Sequence, residues 1–157
     1  MTESIDVTVT LSPDELARLA PPAGFEPLHR VSKFTAATGP FFIGHPNGHL
    51  AIGLRLDQHQ LNFGGSAHGG FIGTLADIAL SMAAIRSTTP PIQTVTVSLS
   101  LDFIGGSSAG DWIQCDTEVL RTGASLVFID GRITANGKLI ARASGVFKRL
   151  KGRVVTR

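Results

Sequence analysis

The chain has no tyrosine, one cysteine and one tryptophan among 157 residues, and each scarcity removes a class of reading. A single cysteine, Cys115, rules out an intrachain disulfide; placed in a predicted strand, it reads as a buried, inert thiol. Aromatic residues make up only 6% of the chain, and no basic stripe carries interleaved aromatics, so nucleic acid is a poor candidate partner. There is no uninterrupted span of membrane length. The longest apolar stretch, Gly69 to Ile85, is short for a spanning helix and holds Asp77 near its middle, where an unpaired carboxylate in lipid costs several kcal/mol. Met1 to Thr10 lacks a basic start and an apolar run, so no signal peptide is expected and the chain reads as cytoplasmic. No G-x-S-x-G elbow is present, Gly64-Gly65 lacks the Lys-Ser/Thr ending of a nucleotide loop, and the five histidines show no zinc-ligand spacing. Neither a metal nor a resident cofactor is expected.

What is present is apolar surface. Hydrophobic residues reach 43%, against 17% charged. That excess for a single small domain points to burial in a homo-oligomer. The net charge of +2 is partly C-terminal. Lys148, Arg149, Lys151, Arg153 and Arg157 form a basic cluster, read as solvated or as attracting ligand phosphates. Residues 151–157 read as a tail.

Residues 1–48 read as an arm and a short helix wrapping the core. Ile5 to Thr10 alternates like a strand, and Ser12-Pro13-Asp14-Glu15 is a capping-box helix start that ends by Pro21-Pro22. From His49 to Leu150 the pattern sharpens into one domain. A strand over His49–Asp57 puts Leu50, Ile52, Leu54 and Leu56 on one face. A loop over Gln58–Ala67 leads to a helix that begins near His68 or Gly69 and ends by Thr88. Thr94 to Phe103 alternates, with Val95, Val97, Leu99, Leu101 and Phe103 expected on one face and the polar residues, Thr96 among them, on the other. Two more strands follow Trp112–Leu120, joined by Asn136-Gly137, a type I′ hairpin signal. The predicted class is α+β: a long apolar helix wrapped by a curved antiparallel sheet.

On the central helix, Phe71, Leu75, Ile78, Met82 and Ile85 form a stripe expected to face the sheet. Opposite lie Gly70, Gly73, Thr74, Asp77, Ser81 and Ala84. Asp77 is the only ionisable residue of the helix before Arg86. It reads either as a structural carboxylate bonded to Thr74, Ser81 or a neighbouring subunit, or as a catalytic base. The helix start His68-Gly69-Gly70 offers backbone N–H groups at the positive end of the helix dipole, which can stabilise an oxyanion.

The run Asn62-Phe63-Gly64-Gly65-Ser66-Ala67-His68-Gly69-Gly70, followed by Thr74-Leu75-Ala76-Asp77, resembles the N-x-x-G-x-x-H-G-G-x-x-x-T-L-x-D segment of hotdog-fold acyl-CoA thioesterases of the phenylacetate-pathway (PaaI-like) type. Similarity continues through Thr94–Leu99, Gly110-Asp111, Arg121–Gly123 and Gly137–Ala141. The resemblance implies a homodimer, commonly paired into a homotetramer, with active sites at the subunit boundary and acyl-coenzyme A as substrate. It implies that Asp77 activates water or attacks the thioester, that the Gly69 N–H holds the carbonyl oxygen helped by Asn62, and that Thr96 orients the water. His68 would bind near the carbonyl or, as a structural residue, shape the loop. A hotdog hydratase or dehydratase is the first alternative; the histidine it needs is missing, since Asn62 and Met82 stand at the corresponding places. The second is a non-catalytic acyl-CoA-binding module, against which the joint presence of Asn62, Gly69 and Asp77 argues.

Overall fold

A computed structural model describes residues 6–154 of the chain. The first segment supplies β1 (Asp6–Thr8), α1 (Pro13–Leu19), β2 (Glu26–Pro27), β3 (Arg30–Ser32), α2 (Lys33–Thr38) and β4 (Phe42–Gly44). There follow β5 (Ala51–Arg55), α3 (Gly69–Arg86), β6 (Ile92–Phe103), β7 (Trp112–Thr122), β8 (Leu126–Ala135) and β9 (Lys138–Val154). Seven strands form one antiparallel sheet in the order β2-β4-β5-β7-β8-β9-β6, and β1 pairs separately with β3. The helix-and-curved-sheet architecture is the one expected. The sheet also recruits β4 and β2 from before His49, a stretch in which the sequence pattern shows no period. At the other end β9 continues to Val154, so the first residues read as a tail belong to the strand. Ile5 and Arg157 lie outside the described residues.

Local chemistry explains the boundaries. Ser12 accepts from the Glu15 N–H while the Glu15 carboxylate accepts from the Ser12 N–H, closing the capping box of α1. Asn136 and Gly137 have φ of 47° and 83°, the left-handed pair a type I′ hairpin turn requires.

By length and composition α3 could cross a membrane, but it is the core helix of the domain. Phe71, Ile72, Leu75, Ala76, Ala79, Leu80, Ala83 and Ala84 are buried beneath it, against Ile113, Cys115, Ile129, Ile133 and Phe147 of the sheet. Full burial of each large side chain contributes about 1.5–3 kcal/mol. The sheet-facing stripe is therefore rotated from its expected place. Ile78, Met82 and Ile85 are only half-buried, and Ala84, expected on the opposite face, is fully buried. The rotation follows from packing: small alanines let the helix settle closer to the sheet than a stripe of Ile and Met would.

That close seating needs glycine. A Cβ at Gly131 would lie 3.0 Å from both Cys115 Sγ and Leu80 Cδ1; at Gly145 it would lie 2.6 Å from Phe147 Cε2 and 3.1 Å from Leu80 Cδ2. Gly145→Ala should overpack this contact and lower stability by about 1–3 kcal/mol. The check is the urea midpoint at fixed protein concentration; an unchanged midpoint refutes the packing argument.

Candidate functional site

The acid on α3 meets a hydroxyl from β6 because β6 is irregular. Its pairing with β9 shifts register between Thr96 and Ser98. Before the shift Thr96 opposes Phe147; after it Leu99 opposes Gly145. Phe147 is buried in the core and Gly145 faces Leu80, so both β6 partners face the helix although three residues separate them. An odd offset is possible only with one extra residue, a β-bulge at Val97. The strict alternation expected from the sequence breaks there. Val95 and Val97 are 45% and 58% exposed, whereas Leu99 and Leu101 pack on the core.

The inward turn of Thr96 is what completes the pair: its hydroxyl donates to Asp77 Oδ1 at 2.8 Å. Asp77 is half-buried rather than sequestered. Its partner is neither Thr74, whose hydroxyl donates to the Gly70 carbonyl, nor Ser81, which donates to Ile78. Thr94, two residues earlier and on the same side of β6, buries its hydroxyl without a partner among the described residues.

Asp77 opens into a groove of about 1070 Å³ along the uncovered face of α3, bounded across the way by β3 and α2. Gly70, Gly73, Thr74 and Ser81 keep its floor low, and Ile78, Met82 and Ile85 make it apolar toward the far end of the helix.

At the start of α3, His68 is the N-cap. Its Nδ1 accepts from the Gly70 N–H at 2.9 Å, and its carbonyl accepts from Ile72. The structural role is thus the one its geometry displays. The Gly69 N–H finds no acceptor among the described residues, and a Cβ at Gly69 would lie 3.4 Å from the Phe103 ring. Asn62 is exposed and holds its own loop, its Oδ1 accepting from Gly64 and Ser66 at 2.8 and 3.2 Å. Gly69 and Asp77 are eight residues apart on one helix, about 12 Å along its axis. Within one protomer they cannot grip the same carbonyl group.

Sequence reasoning overlooks the residues that lock this loop. Buried Gln60 donates to the Thr38 carbonyl and accepts from Asp57 N–H, while its own carbonyl accepts from His68, tying α2 to the helix start. The Asp57-x-x-Gln60 capping-box spacing carries that signal. Ser66 and Ser107 hold each other's segments: Ala67 N–H donates to Ser107 Oγ, and Ser107 N–H donates to Ser66 Oγ. No spacing rule joins residues so far apart in sequence. Cys115 is fully buried, and burial pushes its thiol far up, with Asp116 adding to the shift, so it stays out of the chemistry as expected.

Residues 64–141 match the thioesterase superfamily. A Pseudomonas aeruginosa protein named as an esterase is 42% identical over 127 residues, covering 80% of this chain and 95% of its own. Human acyl-coenzyme A thioesterase 13 is 29% identical over 97 residues, 60% of this chain and 69% of that one. In structure, the PaaI protein of the Escherichia coli phenylacetic acid degradation operon superposes with a TM-score of 0.68 at 24% identity, covering 78% of this chain and 87% of that one.

If His68 acts as a cap, His68→Ala should cost about 1 kcal/mol of stability and His68→Asn, whose oxygen can take the same N–H, should recover most of it. Thermal denaturation of the two variants decides the point; equal losses would show that the Gly70 bond contributes nothing.

Proposed function

As a member of the thioesterase superfamily the chain is a thioester hydrolase, and we propose that it hydrolyses acyl-coenzyme A at a site shared by two protomers, with Asp77 as general base. The observation that carries this reading is the Thr96–Asp77 hydrogen bond on the floor of the groove. Thr96 occupies Oδ1, which fixes the carboxylate plane and leaves Oδ2 for a water molecule. Asp77 takes a proton from that water as oxygen attacks the thioester carbonyl carbon. The tetrahedral oxyanion is held by the Gly69 N–H at the positive end of α3, assisted by Asn62, both from the second protomer. Collapse breaks the carbon–sulfur bond and expels coenzyme A as thiolate, which is reprotonated from the Asp77 carboxyl. Because a thiolate leaves readily, one base and one oxyanion hole, built from both Gly69 and Asn62, suffice.

Three features support the second protomer. The 12 Å helical separation prevents Asp77 and Gly69 of one chain from meeting at one carbonyl. An antiparallel partner helix whose two-fold axis passes near Gly73 would bring each chain's acid beside the other's helix start. And β6 ends the sheet with an edge twelve residues long that pairs with no further strand among the described residues and exposes Val95 and Val97, a surface that folded proteins cover or pair. Phe63, wholly exposed on the Asn62 loop, adds apolar contact area.

Asp77→Asn should lower kcat by about 10²–10⁴ with octanoyl-coenzyme A, at unchanged circular dichroism and mass by light scattering. Thr96→Val, which keeps the shape but not the bond, should cost about tenfold. Near-normal rates in Asp77→Asn refute the assignment.

Sharing is checked separately by mixing unfolded Asp77→Asn and Asn62→Ala chains and refolding them together. Half of the dimers are then hybrids with one intact site, so activity should return to about a quarter of the wild-type value. No recovery from two folded, inactive parents would place acid and donor in the same chain.

A further inference from the structure

The outer face of the sheet, turned away from α3, carries an apolar row that the protomer leaves uncovered. Cross-strand partners share a face, so the register defines it. Ser98 opposes Val146, Val146 opposes Phe128, and Phe128 opposes Arg121. Two bulges add to the row. Val97 is the extra residue of β6, and Leu120 is its counterpart on β7, where Val119 opposes Ile129 but Arg121 opposes Phe128. Ile129 is buried in the core, so Val119 faces the helix side and Leu120 beside it turns outward with Arg121. The row of Val97, Val146, Phe128 and Leu120 therefore crosses β6, β9, β8 and β7. Phe128 and Leu120 are 38% and 55% exposed. The flanks of the row carry opposite charge. On one side Glu118 stands directly across from Asp130, a pair of like sign that destabilises a lone sheet. No ion pair among the described residues reaches either carboxylate; Arg142 is engaged by Asp102 at 2.7 Å, and Arg132 lies across from Asp116. On the other side Lys148 stands between Val95 and Leu126. It and Arg121, at the end of the row, are likewise without an ion pair among the described residues.

We infer that this face packs against the same face of a second dimer, so that two pairs joined at β6 assemble into a tetramer through their sheets. A two-fold axis lying along the row sets Phe128 and Val146 of one copy on those of the other. It also exchanges the flanks. Each chain's Asp130 then comes beside the other's Lys148, and each Glu118 near the other's Arg121. The like-signed pair that a single sheet cannot relieve gains its counter-charges from the second copy. The area is sufficient. Four strands about 4.8 Å apart, over about 20 Å of their length, present about 400 Å² in each protomer. The row begins at Val97, in the middle of β6, so joining that edge to a second β6 continues it across both sheets. A joined pair offers about 800 Å², the area each partner buries in a standard stable interface. The inference rests on the edge pairing of the proposed shared site and not on the chemistry at Asp77.

Sedimentation equilibrium of the purified full chain over a concentration series tests this interface. The unaltered protein should have the mass of a tetramer and dissociate to dimers on dilution. Phe128→Asp and Leu120→Asp each place a carboxylate in the row. Each should raise the tetramer-to-dimer dissociation constant about a hundredfold or more, at unchanged circular dichroism and with the dimer intact. Leu120 is the more exposed of the two, so its variant reads the interface even where Phe128→Asp folds poorly. Asp130→Lys and Lys148→Asp should each split the tetramer, and the two changes combined in one chain should restore it. A protein dimeric at every concentration leaves the face to some other partner and overturns the inference. A tetramer indifferent to both row variants, or a double swap that stays split, overturns it as well. So does a fall to single chains in the row variants, since the outer face would then join the first pair. An unaltered protein that is monomeric throughout would defeat the shared site too, whereas the refolded-hybrid assay reads that site independently of the tetramer.

Discussion

Leu80 rests in a hollow made by two glycines on neighbouring strands, Gly131 of β8 and Gly145 of β9, and the organisation of the molecule follows from how closely this lets α3 approach the sheet. A helix seated that deeply buries one full side, here composed of alanines with a few large anchors at Phe71, Leu75 and Leu80. The other side is lifted clear of the sheet, and it is the side with Gly70, Gly73 and Asp77. Burial and chemistry are therefore not in competition on this helix. The sheet takes the residues that pack, and the groove takes the residues that leave space. An acid at the sheet-facing position would have been stranded without water; one turned from it stays solvated enough to work and ordered enough to aim, because β6 reaches over to hold it.

The reach of β6 is a matter of parity. A strand presents alternate residues to one face, so a regular β6 could offer the helix either its threonines or its leucines, not both. One extra residue at Val97 lets it offer Thr94 and Thr96 beside the middle of α3, then Leu99 and Leu101 beside its start. The same bulge leaves Val95 and Val97 outside, on an edge with unused hydrogen-bonding groups. In the proposed shared site these consequences belong together: the irregularity that supplies the hydroxyl also readies the edge for a second copy, which in turn brings the missing oxyanion donor.

Legibility in the sequence tracked locality. Capping at Ser12, the turn at Asn136-Gly137, the span of α3 and the order of the later strands depend on residues a few positions apart, and all were readable. The Asn62-to-Asp77 run was readable because it is contiguous. The Val97 bulge was not, since β6 alternates so cleanly that period-two reasoning has no cause to break it; only the demands of Phe147 and Gly145 on the neighbouring strand do so. The rotation of the α3 stripe was hidden for a similar reason. Hydrophobicity ranks Ile78 and Met82 above Ala76 and Ala79 for the core, whereas the narrow gap over Gly131 and Gly145 ranks by size. The Ser66–Ser107 lock joins segments distant in sequence, and Gln60 gave a local signal whose long-range use could not be foreseen.

The N-terminal segment faces the proposed catalytic helix across the groove without belonging to the segment that matches the superfamily. Every residue proposed to act on the thioester, apart from Asn62 just ahead of it, falls inside residues 64–141. The strap of β3 and α2 that faces them across the groove falls outside, and it is held among other contacts by a Ser32 cap, the β1–β3 pairing with its Arg30–Asp6 ion pair, buried Val31, and the Gln60 bond to Thr38. Such attachments fix the position of the strap without fixing the identity of its groove-facing side chains. Substitution at Phe34 disturbs no buried contact of α2, while substitution at Gly70, Gly73 or Asp77 alters the surface on which the reaction proceeds. The groove-facing side chain of Phe34 is therefore free to vary at little cost to folding, and the chemistry is anchored where the packing of α3 leaves no such freedom.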